Sequence, residues 1–378
     1  MNGPDRRARG RFPYCRAMPR RTSTMLASTL MLIALLCAGV FIKVPYSEMS
    51  PGPTVNTLGD HGGEPVLQIS GRKTYGTSGH LNMTTVRVTG ADYTMNLPEA
   101  VVGWLSHDRV VVPHETLYPN GKTEEQSSQE NAVEFSGSQE NAKAAALREL
   151  KIPVQARVLV AKVAKDSMAR GSLHVGDVIR SVDGKPVSDT DDVRKLVTAR
   201  KPGEKVEFTL VPAKEAAAAK KARKESKHTE QVTVKTRANE DGEAVVGIET
   251  GADHIFPFDI DIKLADVGGP SAGLMFALGI VDKLTRENLT GGKFVAGTGT
   301  IEDDGTVGPI GGIGMKTVGA RDKGAEFFLT PKDNCAAAAK DVPDGLTLVK
   351  VETIADAVDS LRDIRADRTS DLPSCTEN

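Results

Sequence analysis

The sequence predicts an α+β protein held behind one N-terminal membrane-spanning helix. Three observations carry that reading. Thr22 to Ile42 contains no charged residue and is almost continuously apolar from Met25 onward. Over the rest of the chain, strand-like runs alternate with helix-like ones, the pattern of a layered structure. Two glycine-rich corners, Gly268-Gly269-Pro270 and Gly308-Pro309-Ile310-Gly311-Gly312, each open a helix.

The apolar run is long enough to cross the hydrocarbon core. Arg6, Arg7, Arg9, Arg11, Arg16, Arg20 and Arg21 precede it and should stay cytoplasmic, which places the body of the protein on the outer side. A cleaved signal peptide is the competing reading. Its apolar core is usually shorter, and no small-x-small site with a clean continuation follows Gly39, so an uncleaved anchor is expected. At 378 residues the chain has room for two or three domains. A net charge of -2 and only 4% aromatic residues argue against a nucleic-acid partner. Cys15, Cys37, Cys335 and Cys375 show neither metal spacing nor a disulfide framework, so no metal and no cofactor is expected.

After a turn-rich exit at Ser50–Thr54, residues 65–71 and 84–88 read as strands, with an extended connection over 73–81. Residues 98–105 read as a short helix and 110–112 as a strand. The polar stretch 120–135 reads as solvated, and a helix opens near Ser138 and runs to Leu150. Residues 152–163 are strand-like. Asp183-Gly184 turns between two short strands, and Ser188 with Asp191 has capping-box spacing for a helix carrying Val193, Leu196 and Val197. Strands at 205–211 and 231–235 flank a Lys/Ala/Glu run, either a solvated helix or a mobile excursion. Downstream come strands at 244–248, 260–264 and 293–298, a hairpin at 300–307, and the helix bearing Lys316. Strands at 326–329 and 346–351 and a helix at 354–361, capped by Thr353 with Asp356, complete the order.

The chemistry concentrates at the two corners. Gly268-Gly269-Pro270 delivers Ser271 to the first turn of a helix with an apolar face at Leu274, Met275, Leu278 and Val281. Ser271 is either an N-cap of a core helix or a nucleophile. A nucleophilic serine needs a base. His254 is the one histidine of that region, and sequence puts it in no triad pattern. Lys316, just past the second corner, is either a solvated helix lysine or, buried in an apolar cleft, an amine with a lowered pKa able to accept the serine proton. Thr298 is placed to orient it.

Two resemblances sharpen this. ARGSLHVGDVIRSVDGKPV, with the strands and helix around it, resembles a PDZ domain of the bacterial periplasmic-protease kind, which implies a groove for extended peptides. The run Gly269-Pro270-Ser271-Ala272-Gly273, the Thr298-Gly299 pair, Pro309-Ile310-Gly311-Gly312, and Lys316 four residues beyond the second glycine closely resemble the proteolytic domain of Lon-family serine peptidases. That resemblance implies Ser271 as nucleophile, Lys316 as general base and Thr298 as lysine orienter. It makes Gly269, Pro270, Gly273, Gly311 and Gly312 the turn and oxyanion residues. Val267-Gly268 and Thr300 depart from the usual Lys-Asp and glutamate of ATP-dependent members, and no Walker A sequence occurs.

The implied organisation is a basic cytoplasmic segment (1–21) and a transmembrane anchor (22–44). The N-terminal part of the protease region (48–149) follows, then a PDZ-like domain (150–238, with an insertion at 212–230), a Lon-like proteolytic domain (239–365) and a disordered tail (366–378). The whole resembles the ATP-independent, membrane-anchored PDZ–Lon-like proteases of bacteria. That implies an extracytoplasmic endopeptidase with protein or peptide substrates and, by similarity, a hexamer. The alternative is a tethered peptide-binding scaffold with a misformed site.

Overall fold

A computed structural model describes residues 20–106, 108–264 and 267–375. The basic run before Arg20 and the motif residue Asp266 lie outside them. The chain divides into two units, one of residues 1–48 with 88–121, the other of 49–87 with 122–378.

In the first unit, helix α1 (Arg20–Phe41) is long and apolar enough to cross a membrane. Strand β1 (Tyr46–Asn56) begins here and runs on into the second unit. Helix α2 (Leu97–Leu105) starts at a complete capping box, in which Asn96 and Glu99 satisfy each other's backbone N–H groups.

The second unit continues, in chain order, with β2 (His80–Val88), α3 (Glu124–Glu149), β3 (Gln155–Val163) and β4 (Val178–Val182). Then come α4 (Thr190–Thr198), β5 (Lys205–Val211), α5 (Ala213–Lys221), β6 (Glu230–Lys235) and β7 (Ile248–Ile255). The C-terminal part supplies α6 (Gly273–Leu284), β8 (Phe294–Gly297), α7 (Ile313–Asp322), β9 (Phe327–Pro331), β10 (Thr347–Val351) and α8 (Ile354–Arg365).

Among the described residues the result is a mixed α/β fold with two six-stranded sheets and four two-stranded ones. Five of the strands of one six-stranded sheet run β10-β9-β8-β2-β1, with β10, β9, β8 and β2 mutually parallel, and the strand Val110–Pro113 follows β1. Helix α6 is buried along its length beside that sheet. Leu274, Met275, Phe276, Ala277, Leu278 and Ile280 are all fully enclosed, which is why this helix carries almost no polar residue. Each large side chain so buried stabilises the fold by about 1.5–3 kcal/mol. The other sheet runs β6-β5-β4-β3-β7, antiparallel throughout, around a second core of Val158, Ile179, Phe208 and Val193. Here β7 is one of the two edge strands, and α4 packs on it.

Five sequence expectations are corrected. The helix expected near Ser138 begins at Glu124, because Thr123 and Gln126 form a capping box and Phe135 packs edge-on against Phe276, centroids 5.9 Å apart. The strand expected over 244–248 breaks at Gly247, and the long strand is β7. The tail expected to be disordered is docked through Cys375: Lys350 N–H donates to Pro373 O at 2.8 Å, and Cys375 is disulfide-bonded to Cys335. No disulfide was expected, since a separation of 40 residues carries no motif. Finally, Ser271 lies in a turn before the helix, whose N-cap is Ala272, not in its first turn.

Candidate functional site

Ser271 and Lys316 meet where α6, α7, β2 and the end of β8 converge. The turn carrying Ser271 is tied down from several sides. Ser271 O accepts from Gly299 N–H at 2.9 Å and from the Thr298 hydroxyl at 3.0 Å. The Ser138 hydroxyl of α3 donates to Pro270 O at 2.9 Å. Position 273 must be glycine: a Cβ there would sit 2.7 Å from Ser138 Oγ and 2.8 Å from an Ile301 methyl. At the other corner, Gly312 has φ +70°, and a Cβ would press within 2.8 Å of Val86, so the α7 backbone approaches β2 closely enough for Lys316 to reach across.

Lys316 is 3% exposed, and its amine has three partners. It reaches Thr84 O at 2.8 Å, Ser271 Oγ at 2.9 Å and Thr298 Oγ1 at 3.1 Å. None is a carboxylate. Burial without a counter-ion pushes its pKa down from 10.5 to about 8.

The donor inventory decides how this set behaves once the amine loses a proton. Thr84 O can only accept. The Thr298 hydroxyl hydrogen is already given to Ser271 O, so Thr298 Oγ1 can only accept from the lysine. A neutral amine has two hydrogens, and these two acceptors take both. Its lone pair then faces Ser271 Oγ, whose hydroxyl becomes the donor. An arrangement of this kind can withdraw a proton from the serine.

The remaining candidates fall differently. Gly311 and Gly312 immediately precede α7, with Gly312 as its N-cap, and Gly312 O accepts the Lys316 N–H at 3.1 Å. Of the N–H groups expected to meet an oxyanion, Gly269 donates to Asn131 O at 3.0 Å and Gly273 to Pro270 O at 3.3 Å, and the neighbouring Leu274 donates to Gly299 O at 3.2 Å. Pro270 has none. His254 is fully buried, and its Nε2 meets Asp303 at 3.2 Å, not the serine. Among the described residues no group of three or more His, Cys, Asp or Glu is gathered to hold a metal. Three contributors escaped sequence reading: Thr84, Ser138 and Asn131. Thr84 and Asn131 act through carbonyls, which leave no mark in a side-chain motif. Ser138 looked like a helix start.

Two protein families match the chain. A PDZ domain matches residues 132–217, and the Lon protease (S16) C-terminal proteolytic domain matches residues 218–363. The chain therefore joins a PDZ domain to a Lon-like serine-protease domain. Among curated relatives, Lon protease 2 of Bacillus subtilis strain 168 is 34% identical over 113 residues, 28% of this chain and 19% of that protein. The mitochondrial Lon protease homolog of Debaryomyces hansenii is 34% identical over 96 residues, 25% of this chain and 9% of the relative. A probable periplasmic serine endoprotease DegP-like from Pseudomonas fulva strain 12-X is 40% identical over 89 residues, 23% of this chain and 16% of the relative. The chain thus spans less than a fifth of the length of these relatives.

Proposed function

We propose that the chain is a serine endopeptidase that uses Ser271 as nucleophile and Lys316 as general base, acts without nucleotide, and faces the outer side of a membrane in which α1 is the anchor. The observation that carries the reading is the donor count around Lys316: once neutral, the amine has no hydrogen left for Ser271 and must accept from it. Ser271 then attacks a peptide carbonyl, its proton passes to the Lys316 amine, and the same proton goes to the leaving amine as the acyl-enzyme forms. Water reverses these roles in deacylation. Thr298 is a positioning residue, fixing both the lysine and the Ser271 carbonyl.

The Cys335–Cys375 disulfide supports an oxidising, extracytoplasmic compartment. The open edge of β7 beside α4 suits an extended polypeptide joining as an added strand. The second reading, a tethered scaffold without turnover, is favoured by one observation: the Gly269 and Gly273 N–H groups are engaged. With those two engaged, oxyanion stabilisation falls to other N–H groups of the turn, those of Ser271 and Ala272.

The test is hydrolysis of unfolded casein by the full chain in detergent without nucleotide. Cleavage lost in Ser271→Ala is the expected result. Equal cleavage by that variant would remove Ser271 as the nucleophile, and no cleavage by the intact protein in any assembled state would favour the scaffold.

A further inference from the structure

Outside α1, most of the large apolar side chains exposed among the described residues fall in one short stretch of the first unit: Tyr93, Val101, Val102, Trp104, Leu105 and Val110. Trp104 is the only tryptophan in the chain and is 53% exposed, while Leu105 is 76% exposed. Four of the six belong to α2. The one charged residue of that helix, Glu99, is taken up by the capping box, where its carboxylate accepts the Asn96 N–H at 2.9 Å. The remaining surface of α2 offers no charge to water. A contiguous apolar face of this kind marks a surface that something covers.

The end of α1 says what covers it. Pro98, in the first turn of α2, lies against Gly39 of α1, where a Cβ would meet its ring at 3.5 Å. Leu97 N–H donates to Ile42 O at 3.0 Å, and Val44 N–H donates to Met95 O at 2.9 Å. The start of α2 is therefore bonded to the residues at which α1 ends. A helix that spans the hydrocarbon carries whatever is bonded to its end into the headgroup layer. Trp104 packs edge-on against Tyr46 with centroids 5.3 Å apart, and Tyr93 is 46% exposed nearby in sequence. Tryptophan and tyrosine settle at that boundary because each has an apolar ring and a polar handle. Lys43 lies two residues past the end of α1, at the same boundary.

We propose that α2 is an interfacial membrane helix, with Val101, Val102, Trp104 and Leu105 set into the boundary between headgroups and acyl chains beside the end of α1. This rests on α1 spanning the bilayer, and not on Ser271 or Lys316. Two membrane contacts instead of one fix the rotation of the first unit against the surface, which a single helix leaves free.

The full chain is reconstituted in phosphatidylcholine–phosphatidylglycerol vesicles, and flotation is read first. The emission of Trp104 is then compared in vesicles with and without phosphatidylcholine brominated near the headgroup end of its acyl chains. The proposal expects loss of roughly half the emission to brominated lipid. It expects that quenching to fall several-fold in V102D/L105D, with flotation unchanged. Protein that floats, but whose Trp104 is untouched by brominated lipid and freely quenched by acrylamide, would overturn the proposal and leave the anchor standing. Trp104 shielded from both quenchers would also overturn it, in favour of contact with a second copy. Protein that does not float overturns the anchor and this proposal together.

Discussion

Two lysines of the second unit, one half-buried and one fully buried, are held in opposite ways. Lys220 lies between Asp253, 2.6 Å away, and Glu140, 3.3 Å away. Burial pulls its pKa down, but the hydrogen bond and charge of Asp253, with Glu140, outweigh that and raise it. Asp253 also holds the buried guanidinium of Arg157. Burial alone would raise its carboxyl pKa, yet the Lys220 and Arg157 partners hold it below the usual range. Lys316 is more deeply enclosed and has only hydroxyl and carbonyl oxygens around it, so its amine falls to about 8. The first cluster binds β7 to β3, α3 and α5. The second leaves a cation without compensation, and that is the condition under which an amine becomes a base near neutral pH. A cation that serves the fold is given counter-charge here; one suited to chemistry is denied it.

The sharpest way to break this contrast is to exchange the lysine. Lys316→Met should lower peptide hydrolysis by roughly 10³-fold or more, from the loss of general-base catalysis. It should also stabilise the protein. Holding the amine at about 8 instead of 10.5 corresponds to roughly 3 kcal/mol against the ammonium form. The unfolded chain binds that proton more tightly, so the cost is complete below about pH 8 and is relieved as pH rises toward 10.5. Urea midpoints at pH 7 should therefore rise for the methionine variant; a fall would mean that Lys316 contributes to the fold as Lys220 does.

Asp253→Ala should do the reverse, costing about 3–5 kcal/mol by leaving Arg157 buried and unpaired. Denaturant titration of the two variants side by side checks both signs. Next in size, Thr298→Val removes one acceptor from the ammonium and one donor to Ser271 O. A loss of about 1–3 kcal/mol, or roughly 10- to 100-fold in rate, is expected. The pH–rate profile should move to lower pH, because the charged amine loses a partner; a purely structural role would leave the profile where it was. The smallest effect belongs to Lys162→Ala. Its pair with Glu249, on the same two strands as the Arg157 cluster, is about two-thirds exposed on both sides, and the melting temperature should not move measurably.

Much of this was legible in the chain. The α6 helix could be read from its apolar spacing, and α8 from Thr353 with Asp356, because local periodicity and caps write themselves into sequence. Ser271, Thr298 and Lys316 could be named as a set from their motifs, and the structure brings the three within hydrogen-bonding distance. What sequence could not give was long-range. Thr84 O enters the site from 232 residues before Lys316 and does so through its backbone. The first half of α3 looked solvated because only Phe135 among its side chains reaches the core. The strand β7 was missed because its Gly251, Asp253 and His254 read as turn and polar residues. In the structure they are paired with β3, and the two polar side chains find Arg157, Lys220 and Asp303.

The central claim is that a serine hydroxyl is activated by a neutral amine with no counter-ion. The rate at which a fluorophosphonate labels Ser271 in the full chain, followed across pH 6 to 10, tests it without dependence on any peptide substrate. The account predicts a rate that climbs through one ionisation at about 8 and vanishes in Lys316→Met while that variant remains folded. A rate flat across this range, or equal labelling in the methionine variant, would contradict it.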